Sequence, residues 1–150
     1  MSNENIVVWG AAKTLESAGV SIANNALAAA AALYSIEADG AGFPDGEFVL
    51  TVNYATSPTD MSLLSLYARP MDVDGDTDTD APDATRPNLF LGAFQPDNRT
   101  GAQTLVLAPL GFARDLPRKA EYHIHNSGTG QAVQAGWTLK VTPRTNKAAP

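Results

Sequence analysis

The residues of this chain whose types and spacing suit chemistry fall in two places. The first is an acidic run, Asp72-Val73-Asp74-Gly75-Asp76-Thr77-Asp78-Thr79-Asp80-Ala81-Pro82-Asp83. Alternating carboxylates suit calcium, a hard ion that takes six to eight oxygen ligands. Counted from Asp72, the first, third and fifth positions of a calcium loop are Asp72, Asp74 and Asp76, and the twelfth is Asp83. The sixth position, where the loop turns sharply and calls for glycine, is Thr77, and the twelfth is not the bidentate glutamate. Asp72, Asp74, Asp76 and Asp83 are therefore weak metal candidates, and the expectation is a solvated loop whose like charges keep it exposed, with no cofactor. The second place is Glu121-x-His123-x-His125. Two histidines and a carboxylate are the donor set of a facial triad. On one strand, however, same-face neighbours stand about 7 Å apart, so three in a row converge poorly on one ion. A polar outer face or a subunit contact is the simpler reading.

Other catalytic patterns are missing from the sequence. No serine sits in G-x-S-x-G, and neither a phosphate-binding G-x-x-x-x-G-K-[ST] nor a G-x-G-x-x-G is present. The chain has no cysteine, which removes thiolate nucleophiles, thiolate metal sites and disulfides together. A net charge of −6 without a Lys/Arg cluster argues against nucleic acid, because phosphate contacts need a basic footprint. The start, MSNENIVVWG, lacks a basic segment ahead of a long apolar one, so no signal peptide is expected. The longest apolar stretch, Ala26–Tyr34, is about half of what a bilayer span requires, so no membrane partner is expected either. These observations point away from an enzyme.

The elements that must position these residues read as strands. In Ala120–Pro143, Tyr122 and Ile124 alternate with Glu121, His123 and His125, and Trp137, Leu139 and Val141 alternate with Thr138, Lys140 and Thr142. Period-two alternation is the mark of a half-buried antiparallel strand. With Asn126–Gly130 between them as a turn, the two read as a closing hairpin. Glu47–Ala55, Leu63–Arg69, Leu89–Phe94 and Gln103–Ala108 read as further strands, with turn residues between them. The expected core is Phe48, Leu50, Val52, Leu64, Leu66, Leu105, Leu107, Tyr122, Ile124, Trp137 and Leu139. Ser21–Ala38 is ambiguous: the alanines Ala28–Ala32 favour helix, Leu33–Ile36 favours strand, and strand is preferred. Ile6-Val7-Val8-Trp9 is an apolar patch beside a terminus, either tucked into the chain's own core or an arm that docks on a neighbour. Six or seven short strands without βαβ alternation predict an all-β, antiparallel, jelly-roll-like β-sandwich over 21–145, with an arm or edge strand over 1–20 and a tail over 146–150.

Three segments, FVLTVNYATSPTDMSLLSLYARPMDVDGD (Phe48–Asp76), LFLGAFQPDNRTGAQTLVL (Leu89–Leu107) and YHIHNSGTGQAVQAGWTLKVTP (Tyr122–Pro143), resemble small virion structural proteins of tailed bacteriophages. The likeness lies in the YAT-x-P-T strand end, the D-x-D-G after a strand, the G-x-F strand and the closing hairpin NSGTGQ…AGWTLK. It covers about 100 residues and is weaker over the first 40. The resemblance implies a β-sandwich of the virion, a capsid decoration or cement protein. Its partners would be the major capsid protein and copies of itself in a homo-oligomer such as a trimer; the chain's own apolar patch, Ile6, Val7, Val8 and Trp9, reads as the partner-binding residues. It brings no catalytic residues. A carbohydrate-binding module of a fibre or tail is the alternative, since β-sandwiches host such sites too.

Overall fold

The computed structural model describes residues 5–71, 81–83, 85–86, 88–107 and 115–148. Ten strands run β1 (Asn5–Trp9), β2 (Lys13–Gly19), β3 (Leu27–Ala29), β4 (Tyr34–Ser35), β5 (Asp45–Tyr54), β6 (Leu63–Pro70), β7 (Leu89–Phe94), β8 (Gly101–Leu107), β9 (Lys119–Ser127) and β10 (Trp137–Ala148), and no helix occurs among the described residues. They form two antiparallel sheets. One has the order β1-β10-β5-β8 with β2 also on β10, and the other β3-β9-β6-β7 with β4 also on β9. Pairs β1/β2 and β3/β4 each share one strand position. Eight positions result, ordered first-eighth-third-sixth against second-seventh-fourth-fifth, the jelly-roll arrangement of two interlocked Greek keys. The expected β-sandwich is the observed one.

Alternation explains why these segments are strands. Along β5, Phe48, Leu50, Val52 and Tyr54 are buried and Glu47, Val49, Thr51 and Asn53 are not. The inner faces of both sheets meet in one core in which Trp137, Tyr34, Tyr54, Tyr122, Phe48 and Phe94 are the largest buried side chains. Phe48 from the first sheet packs on Tyr122 from the second, ring centroids 5.1 Å apart. Leu105 and Leu107 point inward yet stay half-buried, because β8 is an edge strand with a paired neighbour on one side only.

The expected closing hairpin is corrected. β9 and β10 do not pair; each is an interior strand of a different sheet. The segment between them crosses the sandwich, and its polar groups are satisfied inside. Asn126, fully buried, places Nδ2 3.1 Å from the Ile22 carbonyl and 2.7 Å from that of Gln131, while Thr129 Oγ1 donates to Asn126 Oδ1 at 2.5 Å.

The alanine run is pinned between the sheets in place of forming a helix. Ala28 and Ala29 pair with Ile124 and His123 on β9, and the Ala30 N–H donates to the Tyr122 carbonyl. The Ala31 N–H donates to Glu16 Oε2 and the Ala32 N–H to the Leu15 carbonyl. Tertiary partners for successive N–H groups outweigh a propensity worth only tenths of a kilocalorie per residue. The boundaries at the two ends also shift. Over 1–20 the chain contains two strands, and the second belongs to the core: Leu15 is buried, and Gly19 lies directly under the Trp137 ring, whose Nε1–H donates to the Val20 carbonyl. The expected tail from 146 is strand up to Ala148, because Asn146, Lys147 and Ala148 pair with Val7, Ile6 and Asn5.

Candidate functional site

The patch Ile6-Val7-Val8-Trp9 is the whole of β1 apart from Asn5. It pairs along β10 from Trp9 opposite Arg144 to Asn5 opposite Ala148. On its other side, β10 pairs with β5 only as far as Arg144 opposite Asp45. Beyond that register, β1 and the end of β10 form a ribbon of two strands. Ile6, Val7 and Trp9 stay 45 %, 53 % and 48 % exposed, and Val8 is half-buried. Odd residues of β1 share a face with Arg144, whose guanidinium carbon sits 5.7 Å from the Trp9 ring and whose Nε donates to Asp45 Oδ2 at 2.6 Å. Lys147 lies 5.9 Å from the Phe43 ring. The ribbon is thus fastened to the sandwich by two cation–π contacts, while its apolar residues remain open.

Glu121, His123 and His125 do share the outer face of β9, but they make no common centre. His123 is buried, its Nε2 2.8 Å from Glu121 Oε1 but off the line of a hydrogen bond. The same Glu121 oxygen lies 3.6 Å from Arg69. Burial lowers the His123 pKa, Glu121 opposes that and Arg69 adds to it, so the ring is held neutral. His125 turns away to Ser127, Nδ1 to Oγ 2.9 Å. Tyr67 stands beside it, and Phe90 lies against Tyr67 with centroids 5.5 Å apart. The face is a packed aromatic and polar surface.

Of the weak metal candidates, Asp72, Asp74 and Asp76 lie outside the described residues. Asp83 is engaged locally: its Oδ1 accepts from the Thr85 hydroxyl and N–H and from the Arg86 N–H, at 2.6, 2.8 and 2.9 Å. Those bonds, the Thr85 hydroxyl foremost, hold its carboxyl below the ordinary range. No cluster of three or more His, Asp or Glu suited to a metal ion occurs among the described residues. A shallow depression lined by Asp60, Met61, Gln95, Pro96, Asp97 and Asn98 opens at the ends of β6 and β7, with Asn98 donating to Asp60 at 2.6 Å.

Comparison with known proteins adds no relative. No family model, no curated protein and no solved structure matches the chain. What its geometry offers for recognition is therefore read from its own surface, and there the β1 ribbon stands apart. Composition marked Ile6–Trp9 but could not show that, among the described residues, no strand pairs with β1 on the side away from β10.

Proposed function

We propose that this protein is a structural subunit of a bacteriophage virion, a capsid decoration or cement protein that works by docking rather than by catalysis. The single observation that carries this reading is the open β1 edge. An exposed strand edge presents unpaired N–H and C=O groups to any strand that approaches, and proteins normally blunt such edges with Lys, Pro or a bulge. Asn-Ile-Val-Val-Trp has none of these. Its exposed apolar residues add burial on docking, at about 25 cal/mol per Å² removed from water. The jelly roll supports the reading without deciding it, since the fold also serves lectins. Modest affinity per contact suffices on a lattice, where sites engaged together raise avidity.

The test is co-sedimentation of the purified chain with empty capsids of tailed phages. Full-length protein is expected to bind saturably, and a chain lacking residues 1–11 to lose most of that binding while staying folded. Full occupancy by the truncated chain would overturn the docking role of β1. A second reading, a carbohydrate-binding module, is favoured by the Tyr67–Phe90 pair on the outer face of the second sheet, with Phe90 43 % exposed. Retention on immobilised glycans by the truncated chain, with no capsid binding by either form, would establish that reading instead.

A further inference from the structure

We infer that the β1 edge is completed by β1 of a second copy, so that the protein forms a two-fold dimer through one continuous sheet. The inference goes beyond the docking reading and concerns the purified chain alone: in free solution a second copy holds the edge that a capsid strand would take on docking.

The argument starts from the ribbon. A two-stranded ribbon is marginal in water by itself; three or more strands with an apolar face are needed. Among the described residues, 145–148 of β10 and 5–8 of β1 have no third strand: β5 stops pairing with β10 at Asp45, and β1 pairs with β10 alone. They nevertheless expose Ile6 and Val7, with Trp9 at the margin. One more strand along β1 covers these side chains and satisfies the edge groups. Two copies meeting edge to edge turn the two strands into four, in the order β10-β1-β1-β10.

The sequence of β1 suits itself. In antiparallel pairing centred on Val7, Val7 opposes Val7, Ile6 opposes Val8 and Asn5 opposes Trp9. Odd residues then lie together on one face, bringing two Trp9 and two Val7 side chains into one stripe. Even residues build an Ile6–Val8 cluster on the other. Cross-strand pairs of β-branched residues stabilise a sheet directly. Such an isologous contact closes at two copies, since each edge is used once. Charge does not oppose it. β1 is uncharged, and the cations Arg144 and Lys147 sit one strand back, already placed over Trp9 and Phe43. In the dimer the two β10 strands stand three strand spacings apart, about 14 Å, well beyond the screening length of about 8 Å in physiological salt.

The test is sedimentation of the full chain at about 100 µM, where a small interface is populated, together with two substitutions at Val7. The dimer mass is expected for the natural chain. Val7→Lys puts a charge on the solvated edge and is expected to weaken self-association at least about tenfold, with the circular dichroism spectrum unchanged. The cysteine-free chain also permits a positional probe. Directly opposed residues of an antiparallel pair have Cα atoms about 4.5–5.5 Å apart, within disulfide reach. Val7→Cys is therefore expected to give a covalent dimer on mild oxidation, and Val106→Cys on β8, at the opposite edge of the same sheet, is not. A monomer at that concentration, a dimer insensitive to Val7→Lys, or cross-linking through Val106→Cys and not Val7→Cys would each overturn the inference. A Val7-dependent dimer that ignores capsids would leave it standing and sink the virion reading; a capsid-binding monomer would do the reverse.

Discussion

Single side chains set how this sandwich answers to pH. Burial pushes the Tyr34 and Tyr54 hydroxyls up to about 12 and Tyr122 higher still. A phenol whose pKa is raised in the folded state contributes stability that is complete below its unfolded value, near 10. That contribution is lost as pH rises through the folded value, because the unfolded chain gives up the proton first. Stability is therefore expected to fall steeply from pH 10 to 12, with the tyrosines ionising together with unfolding, as phenolate absorbance followed alongside circular dichroism would show. Independent titration of Tyr34, Tyr54 and Tyr122 near pH 10 in a folded chain would contradict this. His123 works at the acid end with the opposite sign: its lowered pKa gives stability present above about 6.5 and lost as pH falls through its folded value. Packing at residue scale is just as exacting at Gly19. A methyl group there would stand 2.1 Å from the Trp137 indole, a ring that is fully buried and held by the Val20 carbonyl. Gly19→Ala is expected to cost about 2 kcal/mol or more, lowering the melting temperature by roughly 4–8 °C. An unchanged transition would show that the indole shifts freely.

At the scale of elements, β1 and β2 are neighbours in sequence with different roles. β1 pairs with the projecting end of β10 and buries little. β2 pairs with its inner half, closes the core through Leu15, and through Glu16 ties Ala31 and the backbone of Ser17 and Ala18. Removing residues 1–11 is accordingly expected to leave the melting transition nearly in place. Removing 1–20 uncovers Trp137, Leu139 and the 30–32 segment together and is expected to unfold the chain or lower its transition by tens of degrees. Calorimetry of the two truncations separates these outcomes, and equal transitions would refute the division. It follows that an arm deletion meant to probe docking must stop before Lys13.

The whole molecule is organised by non-local pairing. β2 joins β10 across about 120 residues of chain and β3 joins β9 across about 95, and the first and last strands share one sheet. Closing such long loops before contacts form makes folding slow. Refolding from denaturant is expected in the range of milliseconds to seconds or slower, and a microsecond phase carrying the full amplitude would be inconsistent with this topology. At this scale the fold is also a rigid platform. The two sheets share one core, and the crossover after β9 is tied down by Asn126 and Thr129.

Alternation along β5, β6, β9 and β10 was visible in the sequence because a half-buried strand writes its two environments into successive residues. That determined the fold class, most of the core and the all-antiparallel character, and composition alone marked Ile6–Trp9 as unusual. Alternation carries no information about which strand lies beside which. Only the tertiary structure separated β9 from β10 into opposite sheets, where Asn126 reaches the carbonyls of Ile22 and Ala23, about 100 residues away in the chain and outside any turn between the two strands. The same holds for Ala28–Ala32, whose local preference is helical and whose hydrogen bonds are taken by β9, Leu15 and Glu16. It holds equally for β1, because an edge is a relation between strands. The residues of β1 were legible one by one, but the open row of backbone groups beside them exists only because no described strand follows β1 outward from β10.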